Sequence, residues 1–363
     1  MTVTSFRMTA LLAPVALAAL SACVKNEVPS MPDEPEWNEM EGKNPVRFST
    51  TLEETKAPLS EVTTNFRIFG FYQPGNLSTH TAGTWESLLI DQWTPNFMYD
   101  QVVTYAAGDW SYAPLRYWPS NPENTITFWA YSSPDYTSSV VTLRKSSTND
   151  PYGASVPGLP GIKYTTTGYY DLLVSDIAED QSYANDELLP PGETVTLNFS
   201  HAMCWVDFSV KKVDADGDFD VFLKSITIKD IRSSGVYDVQ NGWGGQVDPV
   251  DLVVYSSAGS GQELSHSVAF GCPSGDPLLP LPQRLNWVSP APTLRVIYTF
   301  KVHGASGEPT QYTCDIPLGD VTSIWQKGKH YTYNVNVTPG NPIYFTTTVA
   351  PWDSWQEATY NVN

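Results

Sequence analysis

Residues 108–133 read GDWSYAPLRYWPSNPENTITFWAYSS, and this stretch decides the fold class. Between Trp110 and Tyr131 it places seven aromatics in 22 residues: Trp110, Tyr112, Tyr117, Trp118, Phe128, Trp129 and Tyr131. Pro114, Pro119 and Pro122 each remove a backbone donor and fix φ, so no helix of useful length runs through it. What remains is extended chain broken by turns, with TITFWAYSS as its most evident strand. Neighbouring residues of a strand point to opposite faces. One member of each of the pairs Tyr117–Trp118 and Phe128–Trp129 therefore faces away from the core, towards another element, a ligand or a partner. Rings of this size bury about 150–250 Å² each, so the expectation is that most of them fill an interior. Subunit contact and a sugar platform are the alternatives.

Working outward, the same pattern recurs along the chain. The 363 residues include 29 Pro and 24 Gly, and turn-forming residues punctuate short apolar or alternating runs. These runs are PVRFSTTL (45–52), FRIFGFYQ (66–73), NFMYDQVVTY (96–105), YDLLVSD (170–176), TVTLNFS (194–200) and CWVDFSVKKV (204–213). They continue with FLKSITIKDI (222–231), LRVIYTFKV (294–302), YTYNVNV (331–337) and IYFTTTV (343–349). No segment carries an amphipathic helical repeat over three turns. The reading is all-β, with two β-sandwich domains in tandem, at 45–190 and 191–363, meeting near the proline-rich ELLPPGE (187–193).

The N-terminus carries a different signal. Arg7 precedes a 13-residue apolar run, Met8 to Leu20, too short to span a bilayer. It ends in Leu20-Ser21-Ala22-Cys23, which is similar to the bacterial lipobox, so residues 1–22 read as a lipoprotein signal peptide with Cys23 as the lipidated residue. The acyl chains, at about 0.8 kcal/mol per buried methylene, would anchor the protein to the outer membrane. Residues 23–44, rich in Pro, Glu and Asp, read as an extended tether. Lys25 and Glu27 resemble the charged export signals of surface lipoproteins in Bacteroidetes. A plain secretory signal with a chance cysteine is the alternative.

The formal charge of −19 repels nucleic acid and anionic head groups, which excludes nucleic-acid partners. With Cys23 assigned to lipid, Cys204, Cys272 and Cys314 remain, an odd number without metal-type spacing, so a disulfide framework is not expected. Cys204, within HAMCWVDFSV, reads as a small buried apolar residue. There is no G-x-S-x-G, H-E-x-x-H, C-x-x-C or phosphate loop, so neither an enzyme nor a cofactor is expected. His201 reads as a strand-end packing residue. The alternating carboxylates Asp214, Asp216, Asp218 and Asp220 around Gly217 resemble a calcium loop. They equally suit a hairpin turn, and the twelve-residue loop with a distal glutamate is absent.

Several pieces, in order, resemble the fimbrillins, the pilus subunits of Bacteroidales. They are an early strand followed by Thr55-Lys56-Ala57, then Phe69-Gly70-Phe71-Tyr72, Asn96-Phe97-Met98-Tyr99, Trp110-Ser111-Tyr112, Arg116-Tyr117-Trp118-Pro119 and Thr127 to Tyr131. Tyr170 to Val174, Val195 to Phe199 with His201-Ala202, Leu279-Pro280 with Pro282-Gln283, Trp325 with Gly328, Tyr331 and Tyr333, and Val349 with Trp352 complete the set. The resemblance implies two transthyretin-like β-sandwich domains in a surface fimbria subunit. It further implies assembly by strand exchange after an arginine- or lysine-specific cut. Carried onto this chain, the exchangeable strand has Val46, Phe48, Thr50 and Leu52 on one face, with Lys56 as the cleavage site and Arg47 as a second basic site inside the strand. A permanent strand and an ordinary loop lysine are the alternatives. Beyond Trp355, Ala358, Tyr360 and Val362 alternate, as a donor strand or a last edge strand would. The implied partners are other fimbrillin-type subunits, the outer membrane through Cys23, and a host or bacterial surface receptor. A surface glycan-binding lipoprotein is the competing function.

Overall fold

The structure, a computed structural model, describes residues 44–52, 63–73, 95, 97–119, 121, 124–133, 141–145, 160–166, 168–182, 194–213, 217–239, 242–272, 277–286, 288–339 and 343–352. Among them there is no α-helix, and the strands form three sheets. The first contains β1 (Phe48–Leu52), β2 (Asn65–Gln73), β3 (Met98–Ala106), β4 (Asp109–Ser111), β5 (Thr125–Ser132), β8 (Leu173–Ser175), β9 (Ala178–Gln181) and β10 (Val195–His201). Their order is β1-β10-β8-β5-β2-β3-β4, with β9 also on β5. The second runs β15 (Phe270–Cys272), β11 (Trp205–Lys212), β18 (Lys329–Val337), β19 (Tyr344–Pro351). The third runs β17 (Thr310–Pro317), β16 (Thr293–Val302), β12 (Phe219–Asp238), β7 (Pro160–Thr165), β6 (Val141–Lys145), with β13 (Gly242–Ser256) and β14 (Gln262–Glu263) also on β12. The fold is all-β.

The aromatic stretch is core. Trp110, Trp118, Phe128, Trp129 and Tyr131 are all buried, which removes the sugar-platform reading for them. Along β5 every residue is buried, on both faces. Phe128 meets Phe48, Phe97 and Trp118 on one side. Trp129 stacks on Phe69 at 5.6 Å on the other, in a cluster with Ile162 and Tyr164 of β7, Tyr237 of β12, Leu279 and Leu281. The outward ring of the pair is thus covered by elements of the third sheet. Gly70 of β2 fits the close packing here, because a methyl on it would lie 3.0 Å from Phe97 and 3.2 Å from Phe128 and would press these rings aside.

A second core joins sheets two and three. Val206, Phe208 and Val210 of β11 and Tyr331, Tyr333, Val335 and Val337 of β18 pack with Val221, Leu223, Ile226 and Ile228 of β12 and Leu294, Val296 and Tyr298 of β16. Cys204 lies fully buried in it, and Cys204, Cys272 and Cys314 are free thiols. Desolvation pushes the Cys272 thiol up to about 12.

Two connections cross the seam expected at 187–193. β10, beyond it, pairs with β1 and β8 of the first sheet, and β7, before it, pairs with the second half of β12. β12 reaches both cores because it bends. Its pairing with β13 shifts register between Ile228 and Ile231, where Asp230 takes φ 59°, and such a bulge re-aims the strand. The sequence reading stopped this strand at Ile231 and assigned no strand to β6, β7 or β13. Gly-, Pro- and Asp-rich residues 242–251 have poor strand propensity, which the long hairpin with β12 overrides.

Candidate functional site

The resemblance directs attention to β1 and the surface that holds it. Val46, Phe48, Thr50 and Leu52 are buried while Arg47 is exposed. That alternation follows from the period of two along a strand. β1 pairs with β10 in parallel, with Phe48 opposite Val195, Thr50 opposite Leu197 and Leu52 opposite Phe199. Three inward pairs thus line one core face. On the outer face Ser49 Oγ lies 3.0 Å from Thr196 Oγ1, and the Thr51 hydroxyl donates to Asn198 Oδ1 at 2.6 Å. These side chains repeat the register that the apolar pairs set.

Phe48 is the largest of these buried side chains. Its ring lies edge-on to Phe128 at 5.4 Å and to Phe66 at 6.1 Å, and tilted against Tyr112 at 5.8 Å. The chain after β4 returns to the start of β1. Val46 N donates to Arg116 O at 2.9 Å, Trp118 N donates to Asn44 O at 3.2 Å, and the Tyr112 hydroxyl donates to Val46 O at 2.9 Å. Burial pushes the Tyr112 phenol up to about 12.

Two features weaken the hold on β1. It stands at the end of the strand order, so among the described residues Phe48–Leu52 has a ladder on one side alone, and parallel ladders are slightly the weaker kind. The Thr50 hydroxyl is buried with no hydrogen-bond partner among the described residues, which costs on the order of 1–3 kcal/mol. Against this, burying Val46, Phe48 and Leu52 contributes roughly 1.5–3 kcal/mol each. β1 is held by its main-chain ladder with β10 and by these buried side chains.

Lys56, Cys23, Ala358, Tyr360 and Val362 lie outside the described residues, as do Asp214 and Asp216. Arg47 is exposed, but its carbonyl accepts from Val195 N at 2.8 Å, within the β1–β10 ladder. Asp218 and Asp220 are engaged at a strand end. Asp218 O accepts from His303 N at 2.8 Å. His303 Nδ1 lies 2.7 Å from Asp220 Oδ1, with Lys301 at 3.8 Å, and the His303 hydrogen bond holds the Asp220 carboxyl below its ordinary value. Among the described residues no group of three His, Cys, Asp or Glu side chains is placed to hold a metal. His201 ends β10, stacks on Trp352 at 4.0 Å and pairs with the Asp171 carboxylate. Sequence reasoning missed the roles of Tyr112, Thr196 and Asn198. Only the alternation of Val195, Leu197 and Phe199 in TVTLNFS could have matched β10 to β1.

Comparison with known proteins agrees with this architecture. The fimbrillin-like family profile matches residues 61–352, beginning just after β1 and Lys56. The fimbrium subunit Fim1C of Phocaeicola vulgatus is 29% identical over 202 residues, 53% of this chain and 48% of that protein. The chain thus spans about half the length of that curated relative. A crystal structure of a fimbrial protein from Bacteroides vulgatus superposes with a TM-score of 0.62 over 85% of this chain and 99% of the other, at 18% identity, which establishes a shared fold. The first of these is named a fimbrium subunit and the second a fimbrial protein. The chain is a member of the fimbrillin-like family.

Proposed function

We propose that this protein is a fimbria subunit exported as a lipoprotein through Cys23 and assembled by protease-triggered strand exchange at the β1 groove. The observation that carries the reading is the geometry of β1: an edge strand in parallel register on β10, its alternate residues entering pockets. Lys56 is the one basic residue between β1 and β2. A cut there turns β1 from an intramolecular strand, present at millimolar effective concentration, into a separate piece. A strand from a neighbouring subunit then competes for the same main-chain ladder and the same pockets. In this reading the tandem transthyretin-like sandwiches, 45–190 and 191–363, trade elements across their boundary through β7 and β10. The partners are other fimbrillin-type subunits, the outer membrane and a surface receptor.

The reading is tested by brief digestion with an arginine/lysine-specific protease. Mass spectrometry then looks for a new N-terminus at Ala57, and an unboiled gel looks for high-molecular-weight ladders. Cleavage at Lys56 followed by ladders that survive cold detergent is the expected result. A chain that is cut there yet neither polymerises nor accepts an added subunit would overturn it.

A further inference from the structure

A cleft of about 600 Å³, with no β1 residue among its described lining residues, opens beside the β12–β13 hairpin, Pro282, Gln283, Arg284 and Val288, and the turn at Ile324–Lys327. Its charged side chains are Arg232, Arg284 and Lys327, and no carboxylate is among the described residues that line it. In a chain of formal charge −19 this is a local reversal of sign, and a concave site focuses such a field onto an anion.

Of these cations Arg232 is fixed in place. Arg232 is 8% exposed. Its Nη1 donates to Asp230 O at 3.1 Å, and its Nη2 donates to Ser289 O at 2.9 Å and Pro290 O at 3.3 Å. These are neutral acceptors, so they orient the guanidinium without neutralising its charge; among the described residues it has no ion pair, and a buried charge so placed favours an anion beside it. Lys327 Nζ lies 5.8 Å above the Tyr237 ring centroid and 3.4 Å from its hydroxyl.

The cleft also holds a rigid apolar face. Trp243 is half-buried. Its Nε1 donates to Ala202 O at 2.6 Å, and its ring packs edge-on to Tyr237 at 5.5 Å. Gly235 leaves room for the indole, since a methyl there would lie 3.3 Å from it.

We propose that this cleft binds a carboxylated sugar, a uronic or sialic acid unit of a surface glycan. The carboxylate would meet Arg232 and Lys327 through charge-assisted hydrogen bonds, and the C–H face of the pyranose would cover Trp243. The volume lies within the range of about 300–1,000 Å³ of small-ligand sites. A bare phosphate would satisfy the cations but leave the indole unused, and a neutral sugar would leave the cations unmatched. The proposal concerns a surface that β1 does not touch and stands apart from strand exchange.

The test uses the full chain, with tryptophan fluorescence and calorimetry as readouts. The probes are glucuronate, N-acetylneuraminate, glucose, acetate and inorganic phosphate. At least one sugar acid is expected to bind saturably in the millimolar range and to weaken as salt rises. Glucose, acetate and phosphate are expected to bind about tenfold or more weakly. Lys327→Glu and Arg284→Glu, both at exposed positions, are expected to lose about tenfold in affinity each with melting temperature unchanged. Failure of both sugar acids to bind would overturn the proposal. So would glucose, acetate or phosphate binding as tightly as the sugar acids, or undiminished binding in both well-folded variants.

Discussion

The Tyr112 hydroxyl donates a 2.9 Å hydrogen bond to the carbonyl of Val46, tying the proline-broken aromatic stretch to the main chain of β1. The same oxygen lies 3.3 Å from Arg116 O, so one side chain braces both sides of the entry to the strand. Tyr112→Phe keeps the ring against Phe48 and removes the bond. A loss of about 1 kcal/mol of stability is expected, measured by denaturant unfolding, with faster release of β1 once the following loop is cut.

The pH dependence of this bond has a definite sign. Burial raises the Tyr112 phenol to about 12 in the folded protein, above the ordinary value near 10 of the unfolded chain. The folded state therefore holds its proton more tightly, and the contribution is fully present below pH ~10 and is lost as pH rises from ~10 to ~12. A melting series across that interval should show a steeper decline in the wild type than in Tyr112→Phe.

Thr50 offers a change in the opposite direction. Its hydroxyl is buried on the inner face of β1 without a partner among the described residues. Thr50→Val keeps the branched shape and removes the orphaned group, so a gain of about 1 kcal/mol is expected. The variant should release β1 more slowly after cleavage, read from the rate at which the cut fragment leaves on a sizing column. An unchanged rate together with raised stability would place the transition state of release before the loss of this contact.

A covalent lock separates a removable β1 from a permanent one. Ser49 and Thr196 are direct partners in the parallel ladder, with side-chain oxygens 3.0 Å apart. Paired strands lie about 4.7–4.9 Å apart, inside the roughly 4.4–6.8 Å Cα range that a disulfide spans, which suits the pair Ser49→Cys with Thr196→Cys. Oxidised and cut at Lys56, this variant should not assemble into ladders, and reduction should restore assembly. Ladders from the oxidised form would mean that the β1 groove takes no part.

Much of the β1 site was legible in the sequence, because alternation in PVRFSTTL is a local property that a single strand expresses alone. Val46, Phe48, Thr50 and Leu52 do share the buried face. The burial of Trp129 was legible only as a choice among another element, a ligand and a partner, since what covers the far face of β5 comes from β7, β12 and the 279–281 segment. The full length of β12 and its hairpin with β13 were not legible. Asp230, Gly244, Asp248 and Pro249 break strand propensity locally, and only the cross-strand pairing and its bulges accommodate them. The cleft of Arg232, Trp243, Arg284 and Lys327 left no sequence signal either, as its residues are scattered over 96 positions from Arg232 to Lys327 and meet through tertiary packing alone.

The central claim is that β1 can be replaced in its groove by another strand, and native mass spectrometry of the cut protein tests it most directly. The protein is cleaved at Lys56 and mixed with an isotope-labelled peptide of residues 45–52, while the uncut protein serves as reference. The account predicts that the cut protein loses its own N-terminal fragment and gains the labelled peptide, and that the uncut protein takes up none. A cut protein that keeps its fragment and never acquires the peptide would contradict it.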